Sequence, residues 1–386
     1  MKTIARRAIV MLSMLMFLFC CSSERDGVER IMEDGVEVVI NHLEPYEVKG
    51  EPTTLVLEEE LRIDFEDEKF AYLGLTQPEE VDADSKGNIY IYDRNRASDN
   101  FVLKFDKEGN FLKEFGHKGQ GPGEIQSLMF LRVDAQDEIM ITDYSSKKVI
   151  TYDTEGGLLY EKRYEPRWTT VIPLENGCYL ATGRYYEKTP DGIGLKLALY
   201  NSEFEEIKKI HFFDYSHKLP GQKQAFGFPF YYWRVKNGRI YVGDGLKRYE
   251  ICVFDYDGNL LRKIRKEYNP VRYPENFRKL VEMTMEVRDD LYPREYTPPL
   301  NSFFIDDDDR LYAMTYEQEE NQEEYIHDIF DAGGVFIGRK SFGMTYMLGQ
   351  GLNHLRVNAR NNRYYRLRYK EELGYAELIV YKMRWE

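Results

Sequence analysis

Short apolar runs alternate with polar turns along most of the chain. Residues 89–92 and 101–105 alternate apolar and polar side chains, residues 106–110 (DKEGN) have the composition of a turn, and residues 111–115 form a third run. The same order returns over residues 138–164. Period-two alternation bounded by Gly, Asn and Asp predicts strands joined in hairpins. The chain is therefore predicted to repeat one all-β unit.

Six inner hairpin turns mark this repeat. They lie at 85–88, 135–138, 174–177, 236–239, 306–309 and 359–362. A third apolar run follows each turn, and a fourth run follows in every unit except the last. The missing strand is assigned to residues 54–65, because a ring closed by an N-terminal strand removes the exposed edges of an open array. The pattern predicts one all-β domain over residues 52–386, a six-bladed β-propeller with four-stranded blades.

One insertion in this pattern has helical periodicity. Residues 274–291 read PENFRKLVEMTMEVRDDL, with a proline near the start. The apolar face would consist of Phe277, Leu280, Val281, Thr284 and Val287. We expect one short helical insertion here.

The first twenty residues have the features of a signal peptide. A basic start is followed by an apolar stretch at 8–19, shorter than the roughly 20 residues of a spanning helix. The segment ends in LFCCSS and resembles the lipobox of bacterial lipoproteins, with Leu18 at minus three, Cys20 at minus one and Cys21 as the lipidated residue. The alternative is an ordinary cleaved secretory signal. Residues 21–51 are expected to be a tether and N-terminal extension.

The charge balance limits the partners. The chain carries 53 basic and 67 acidic residues, a net charge of −14, and removing residues 1–20 would make it −17. Nucleic acid and anionic lipid surfaces both require a basic surface, so neither is expected as a general partner. Cys178 and Cys252 lie in different units, where buried small side chains are expected rather than a disulfide.

Three arginines precede a valine close to an inner turn, at Arg132, Arg234 and Arg356. Alternation along a strand would place valine on one side and arginine on the other. Near the axis, a ring of guanidiniums could bind carboxylate or sulfate groups. The alternative is that each arginine pairs with an acidic neighbour and pins adjacent blades. The candidate acids are Asp134, Asp82, Glu80 and Glu79.

Other residues are weaker candidates for the channel mouth. Tyr186 and Trp233 border insertions and could stack on sugars, although packing between blades explains aromatic side chains equally well. His354 could face a ligand, but the sequence identifies no nucleophile beside it, and catalysis is not predicted. The loop at 119–124 (GQGPGE) offers backbone N–H groups, or is only a tight connector.

No cofactor is predicted. Four consecutive aspartates at 306–309 suggest calcium, but they occupy an inner hairpin turn and lack a following glutamate ligand. A solvated turn is the simpler interpretation. No Cys/His spacing typical of zinc is present.

The segment at 105–124 (FDKEGNFLKEFGHKGQGPGE), with the short strands that follow it to Asp143, resembles the NHL-repeat propellers. The chain is more closely similar to six-bladed propeller lipoproteins of Bacteroidetes, and the lipobox and residues 34–45 (DGVEVVINHLEP) fit that pattern. The resemblance implies a propeller fold and an envelope location, with no established activity. NHL-type propellers include binding scaffolds and a metal-dependent lyase. Ligands of such propellers usually bind on the face formed by the loops between blades.

Together these observations predict an outer-membrane lipoprotein, attached only through Cys21, on the periplasmic side or the cell surface. Its propeller would be a non-catalytic binding or interaction module for a small anionic molecule, a glycan or a peptide. One alternative is a metal-dependent lyase or hydrolase with its site in the channel. Another is a structural partner of an outer-membrane complex, contacting an envelope protein through the outer faces and residues 274–291.

Overall fold

The computed structural model describes most of the 386-residue chain. The described residues are 28–47, 52–75, 78–93, 98–164, 168–183, 187–189, 192–214, 224–225, 231–244, 248–273, 291–292, 295–319, 324–343, 357–370 and 375–386. Within these ranges, no helix is long and apolar enough to cross a bilayer. The signal peptide, Cys21 and residues 274–290 of the predicted helical insertion lie outside them.

Six antiparallel sheets form the blades, preceded by an N-terminal hairpin. The chain starts with β1 (Glu29–Glu33), β2 (Val36–Asn41), β3 (Leu55–Asp64) and one short helix, α1 (Glu68–Ala71). Blade 1 contains β4 (Pro78–Ala83), β5 (Ile89–Asp93), β6 (Asn100–Phe105) and β7 (Phe111–His117). Blade 2 contains β8 (Leu128–Val133), β9 (Ile139–Asp143), β10 (Lys148–Tyr152) and β11 (Leu158–Arg163). Blade 3 contains β12 (Trp168–Pro173), β13 (Tyr179–Gly183), β14 (Glu187–Thr189), β15 (Gly192–Tyr200) and β16 (Glu206–Asp214).

The second half of the chain continues the order. A two-residue strand, β17 (Gln224–Ala225), precedes blade 4, which contains β18 (Tyr231–Lys236), β19 (Arg239–Asp244), β20 (Glu250–Asp255) and β21 (Leu260–Lys266). Strand β22 (Leu291–Tyr292) pairs in parallel with β17. Blade 5 contains β23 (Ser302–Ile305), β24 (Leu311–Gln318), β25 (Glu324–Phe330) and β26 (Phe336–Gly343). Blade 6 contains β27 (Val357–Arg360), β28 (Arg363–Lys370), β29 (Tyr375–Trp385) and β3.

Aspartates at the ends of inner strands fix several of the hairpin turns. The Oδ1 atom of Asp84 accepts hydrogen bonds from the backbone N–H of Lys86 at 3.0 Å and of Asn88 at 2.8 Å. Asp134 and Asp306 accept the equivalent pairs in blades 2 and 5. Such local bonds satisfy backbone donors that the sheet leaves open. All six predicted inner hairpins are present, so the predicted fold is confirmed.

The N-terminal strand closes the ring. Strand β3 pairs antiparallel with β29, from Leu55 opposite Trp385 to Asp64 opposite Glu377. The carbonyl of Glu386 also accepts hydrogen bonds from the N–H groups of Thr53 and Thr54, each at 3.0 Å. The predicted closure of blade 6 by residues 54–65 is therefore confirmed.

The N-terminal hairpin is a feature that the sequence pattern did not predict. Strand β2 pairs in parallel with β21, so β1 and β2 extend blade 4 to six strands. The buried Asn41 side chain donates to the carbonyls of Arg265 and Gly334, each at 3.0 Å, and accepts from the Phe336 N–H at 2.8 Å. Part of the expected tether is thus a structural link between blades 4 and 5.

The apolar cores lie within and between neighbouring blades. Trp168 is fully buried in blade 3, where its ring contacts those of Tyr200 and Phe204 with centroids 4.5 and 5.3 Å away. Cys178 and Cys252 are free thiols, as the sequence predicted, but they are only partly buried against one such core. Both polar and apolar side chains of the inner strands line the central channel.

Candidate site in the central channel

A cavity of about 200 Å³ lies where the inner strands converge on the propeller axis. It extends from the middle of these strands to the inner hairpin turns. Its lining comprises Glu80, Val81, Asp82, Phe130, Leu131, Arg132, Val133, Asp134, Ala135, Ile172, Glu175, Trp233, Arg234, Val235, Lys236, Asn237, Asp307, Asn358 and Arg360. The cavity therefore lies toward the inner turns rather than toward the loops between blades, where a ligand was expected.

Strand alternation places the predicted arginines in this cavity. On β8, Val133 packs into the core between blades 1 and 2, so Arg132 on the opposite side faces the channel. On β18, Val235 packs into the core between blades 3 and 4, and Arg234 faces the channel. The structure brings two of the three predicted arginines to one cavity, while Arg356 lies outside the described residues.

Arg132 forms an ion pair with Glu175, but one of its guanidinium nitrogens has no hydrogen-bond partner among the described residues. Its Nη2 atom donates to Oε1 of Glu175, at 2.5 Å, and the other Glu175 oxygen accepts the Tyr256 hydroxyl. The Nη1 atom of Arg132 is buried and has no hydrogen-bond partner among the described residues. The prediction that acidic neighbours could pair with these arginines holds here, but the acid is Glu175, which the sequence did not single out.

Arg234 makes no hydrogen bond or salt bridge to a carboxylate within the described ranges. Its guanidinium donates one hydrogen bond, from Nη1 to the carbonyl of Trp233 at 2.9 Å. Burial lowers the pKa of the Arg234 guanidinium, and the negative charge of Glu80 opposes that shift. This side chain is the strongest candidate for contact with an anion.

The other two channel cations fasten neighbouring blades. Lys236 Nζ lies 2.8 Å from Oδ1 of Asp307 and donates to the Ala359 carbonyl at 3.1 Å. Arg360 donates to the carbonyls of Val133 and Asp134, at 2.6 and 2.7 Å. Because these cations are committed to blades 2, 5 and 6, they contribute positive charge without offering a free donor pair.

The buried carboxylate of Asp82 interacts with these two cations. Oδ2 of Asp82 accepts the Val133 N–H at 2.7 Å, and Oδ1 accepts the side-chain amide of Asn358. Burial raises the pKa of Asp82, and the positive charges of Arg360 and Lys236 oppose the shift. The cavity lining therefore mixes both signs of charge, since acids from blades 1, 2, 3 and 5 lie among the cations from blades 2, 4 and 6.

The register of β27 corrects the equivalence drawn between the three arginines. Arg360 pairs with Arg363 across a two-residue turn, as Lys236 pairs with Arg239. Two residues earlier, the position of Arg234 is therefore occupied in β27 by Asn358. Matching Arg356 to Arg234 through the valine that follows each of them therefore gave a position two residues before Asn358, and Arg360 was missed as a channel residue.

The remaining predicted residues contribute less to the site or cannot be placed. Trp233 lines the cavity, but its ring stacks on Phe213 with centroids 5.8 Å apart and packs between blades 3 and 4. It serves mainly as core, which was the alternative interpretation. Cys21, Tyr186 and His354 lie outside the described residues.

The two candidate loops are occupied by contacts within the chain. In the glycine-rich loop, the N–H groups of Gly121 and Gly123 donate to the carboxylates of Glu124 and Glu161, at 2.8 and 2.9 Å. In the turn at 306–309, each of three aspartates has a cationic partner: Asp307 pairs with Lys236, Asp308 with Arg310 and Asp309 with Arg239. Across the described ranges, no group of three or more His, Cys, Asp or Glu residues is arranged to hold a metal ion.

Comparison with known proteins agrees with this architecture. A family model described as DUF5128, six-bladed beta-propeller, matches residues 75–223, which span blades 1 to 3. The chain is a six-bladed β-propeller. No curated protein matches its sequence.

Solved propellers resemble this one at low sequence identity. A protein of Bacteroides vulgatus from the DUF4221 family is 13% identical with a TM-score of 0.54, covering 87% of this chain and 100% of its own. A Bacteroides fragilis protein described as exported is 14% identical with a TM-score of 0.51, covering 90% and 99%. The virginiamycin B lyase of Staphylococcus aureus is 9% identical with a TM-score of 0.43, covering 85% and 99%. At these identities the similarity concerns the fold alone.

Proposed function

We propose that this propeller is a non-catalytic binding module of the bacterial envelope whose channel binds a small anionic ligand. The ligand would be a carboxylate-bearing molecule, such as an acidic sugar or the end of a peptide. Attachment to the outer membrane through a lipidated Cys21 is part of the proposal, and the lipobox-like sequence before it supports that location.

The observation that carries this proposal is the incomplete pairing of two arginines in one cavity. Among the described residues, Arg234 makes no salt bridge or hydrogen bond to a carboxylate, and Nη1 of Arg132 is buried without an acceptor. A buried charged donor without a partner costs free energy, so proteins rarely keep one without a use. A carboxylate accepting from both guanidiniums would supply the missing bonds, and charge-assisted hydrogen bonds of this kind are strong.

The walls of the cavity restrict the rest of the ligand. Phe130, Ile172 and Trp233 supply apolar surface, while Asp82 of blade 1 and Asn358 of blade 6 supply polar groups. A volume of about 200 Å³ suits a small molecule or one residue of a longer chain. A molecule with a carboxylate for the arginines and hydroxyl or amide groups for Asp82 and Asn358 would match this lining.

Isothermal titration calorimetry tests the proposal with matched pairs of ligands. The purified chain is titrated with glucuronate and glucose, and with succinate and succinamide. We expect binding of the acids only. Replacing Arg234 by Met should weaken binding by about tenfold to a hundredfold, the equivalent of a lost charge-assisted hydrogen bond.

Thermal stability separates a binding role from a structural one. Since Arg234 is partly buried and makes no ion pair with a described carboxylate, Arg234→Met should leave the melting temperature unchanged or raise it. The exposed Arg272→Met serves as the matched control and should alter neither quantity. Absence of binding by every anion, or unchanged affinity in Arg234→Met, would refute the proposal.

No feature of the described residues favours the metal-dependent enzyme. The channel offers Asp82 and Glu80 from blade 1, but no third ligand converges on them among the residues that the structure places.

A further inference from the structure

A β-bulge recurs at the same place in the outer strand of every blade. In blade 1, Lys104 pairs with Lys113 and Phe105 pairs with Phe111, which leaves Leu112 without a cross-strand partner. The same shift occurs in the other five blades. The unpaired residues are Leu112, Leu159, Ile207, Leu261, Ile337 and Glu60.

In blades 1 to 4, the turn before the outer strand has one shared side-chain cap, whereas β3 of blade 6 has its bulge without a hairpin turn to β29. In blade 1, Oδ1 of Asp106 accepts the N–H groups of Glu108 and Asn110, at 3.0 and 2.7 Å. Asp153, Asn201 and Asp255 accept the equivalent pairs in blades 2 to 4. A bulge directs the side chain of the extra residue away from the regular pleat. The rim therefore presents one such side chain per blade.

Four consecutive blades expose an aliphatic side chain at this position. Leu112 and Leu159 are each 48% exposed, Ile207 is 52% exposed, and Leu261 is 45% exposed. Leu158 and Tyr160 add further exposed apolar surface in blade 2. Isolated exposed aliphatic residues are ordinary, but here they recur at one equivalent position in four consecutive blades.

In blade 5 the chain covers the same position itself. Ile337 is only 3% exposed. The N–H of Tyr46 donates to the carbonyl of Phe336 at 2.8 Å, and Tyr46 packs against the cluster that contains Ile337. In blade 5, the bulge position is therefore covered by the chain segment that contains Tyr46.

In blade 4, strand β2 pairs with the outer strand β21, and an acidic side chain of β2 contacts a basic one of β21. Strand β2 reads VEVVIN and pairs in parallel with β21 beginning at Arg262, the residue after Leu261. Glu37 on β2 accepts a hydrogen bond from Arg262 at 2.7 Å. The outer strands of blades 1 to 3 carry basic residues in the same region, namely Lys113, Lys162, Lys208 and Lys209. These lysines also have contacts within the chain, such as those of Lys113 with Glu155 and of Lys208 with Asn259.

We propose that the outer strands of blades 1 to 3 form a docking surface for an extended segment of a partner protein. The segment would add to an outer strand by backbone pairing, as β2 adds to β21, and would contact Leu112, Leu159 or Ile207 at the bulge and place acidic side chains against the neighbouring lysines. Its sequence would alternate aliphatic and acidic residues, as β2 does. The described strands β7, β11 and β16 each have only one paired neighbour, which leaves their outer edges for this contact.

Hydrogen–deuterium exchange of the full chain tests this surface with a defined probe. The probe is a synthetic peptide of residues 28–47, with a scrambled peptide of equal composition as the control. We expect the peptide to slow exchange in β7, β11 or β16, and the scrambled peptide to have no effect. Leu159→Glu should weaken the protection of β11 by about tenfold or more, because it removes apolar contact and repels an acidic strand.

Matched variants and alternative occupants complete the experiment. Met32→Glu changes an exposed apolar residue on β1, away from the bulges, and should leave the protection intact. Protection confined to β21 and β26 would overturn the proposal, since the peptide would then only replace the chain's own segment. Protection of these strands by phosphatidylethanolamine–phosphatidylglycerol vesicles, or by self-association at higher protein concentration, would also overturn it.

Discussion

His327 gives the propeller a specific sensitivity to mild acid. The side chain is fully buried in blade 5, with ring centroids 4.7 Å from Phe342 and 5.9 Å from Phe304. Its Nδ1 donates to the Tyr325 carbonyl at 2.9 Å, and Nε2 has no partner among the described residues. Burial lowers the pKa of His327 to about 3. The folded protein therefore holds this imidazole neutral at every pH above about 4.

The size of the effect follows from the difference between the two states. In the unfolded chain the histidine pKa is about 6.5, so the unfolded state takes up a proton as the pH falls below that value. The folded state does not, and the free energy of unfolding decreases as the pH falls from about 6.5 toward 3. Between pH 7 and pH 5 the loss from this residue is about 2 kcal/mol.

Urea unfolding at pH 7 and pH 5 measures this contribution. Other groups also titrate in this range, so the quantity to compare is the pH-dependent loss in the parent protein and in His327→Gln. We expect the parent to lose about 2 kcal/mol more than the variant. His117→Gln, at an exposed histidine, should behave like the parent. Equal pH dependence in the parent and His327→Gln would refute the assignment of a neutral buried imidazole.

Three further predictions concern the links that hold the ring together. Asn41→Ala removes the side-chain partner of three backbone groups and should lower the unfolding free energy in urea titrations by about 3 kcal/mol. The exposed Asn176→Ala should lower it by less than about 0.5 kcal/mol. Equal losses would contradict the role of Asn41. Gly109 and Gly177 both have positive φ, but an added Cβ meets a leucine side chain at 2.8 Å only at Gly109. Gly109→Ala should therefore melt at a lower temperature than Gly177→Ala, and the reverse order would exclude crowding as the cause. The hydrogen bond from Arg265 holds the pKa of Glu33 at about 2, below its unfolded value near 4.3. The β1–β2 hairpin should therefore stay protected from pepsin at pH 4 and become cleavable toward pH 2. Glu33→Gln should be cleaved already at pH 4, and equal resistance of parent and variant would show that the ion pair does not hold the hairpin.

The fold could be predicted because each blade carries its own local signals. Asp84 and Asp106 lie at turn positions where a carboxylate caps backbone N–H groups, and glycine with positive φ follows in each turn. These signals act over four or five residues and therefore survive in the sequence. The closing strand could be assigned because the last unit lacked a strand.

The contacts between blades could not be predicted in the same way. Glu175 reaches Arg132 from the next blade, across 43 positions of sequence, and nothing local marks that pairing. The pairing register decides which inner-strand residues are equivalent, and it aligns Asn358 of blade 6, not an arginine, with Arg234 of blade 4. The hairpin at 29–41 was missed because its partner, β21, lies more than two hundred residues away.

The closure of blade 6 has a consequence for how the protein folds. Joining β3 to β29 from an unstructured chain would close a loop of more than three hundred residues, at an entropic cost of about 5 kcal/mol from loop length alone. Prior formation of blades 1 to 5 holds the two ends near each other and removes most of that cost. During synthesis, residues 55–64 must therefore wait as an unpaired strand until residues 375–385 emerge. The first propeller strand to be made is the last to be paired.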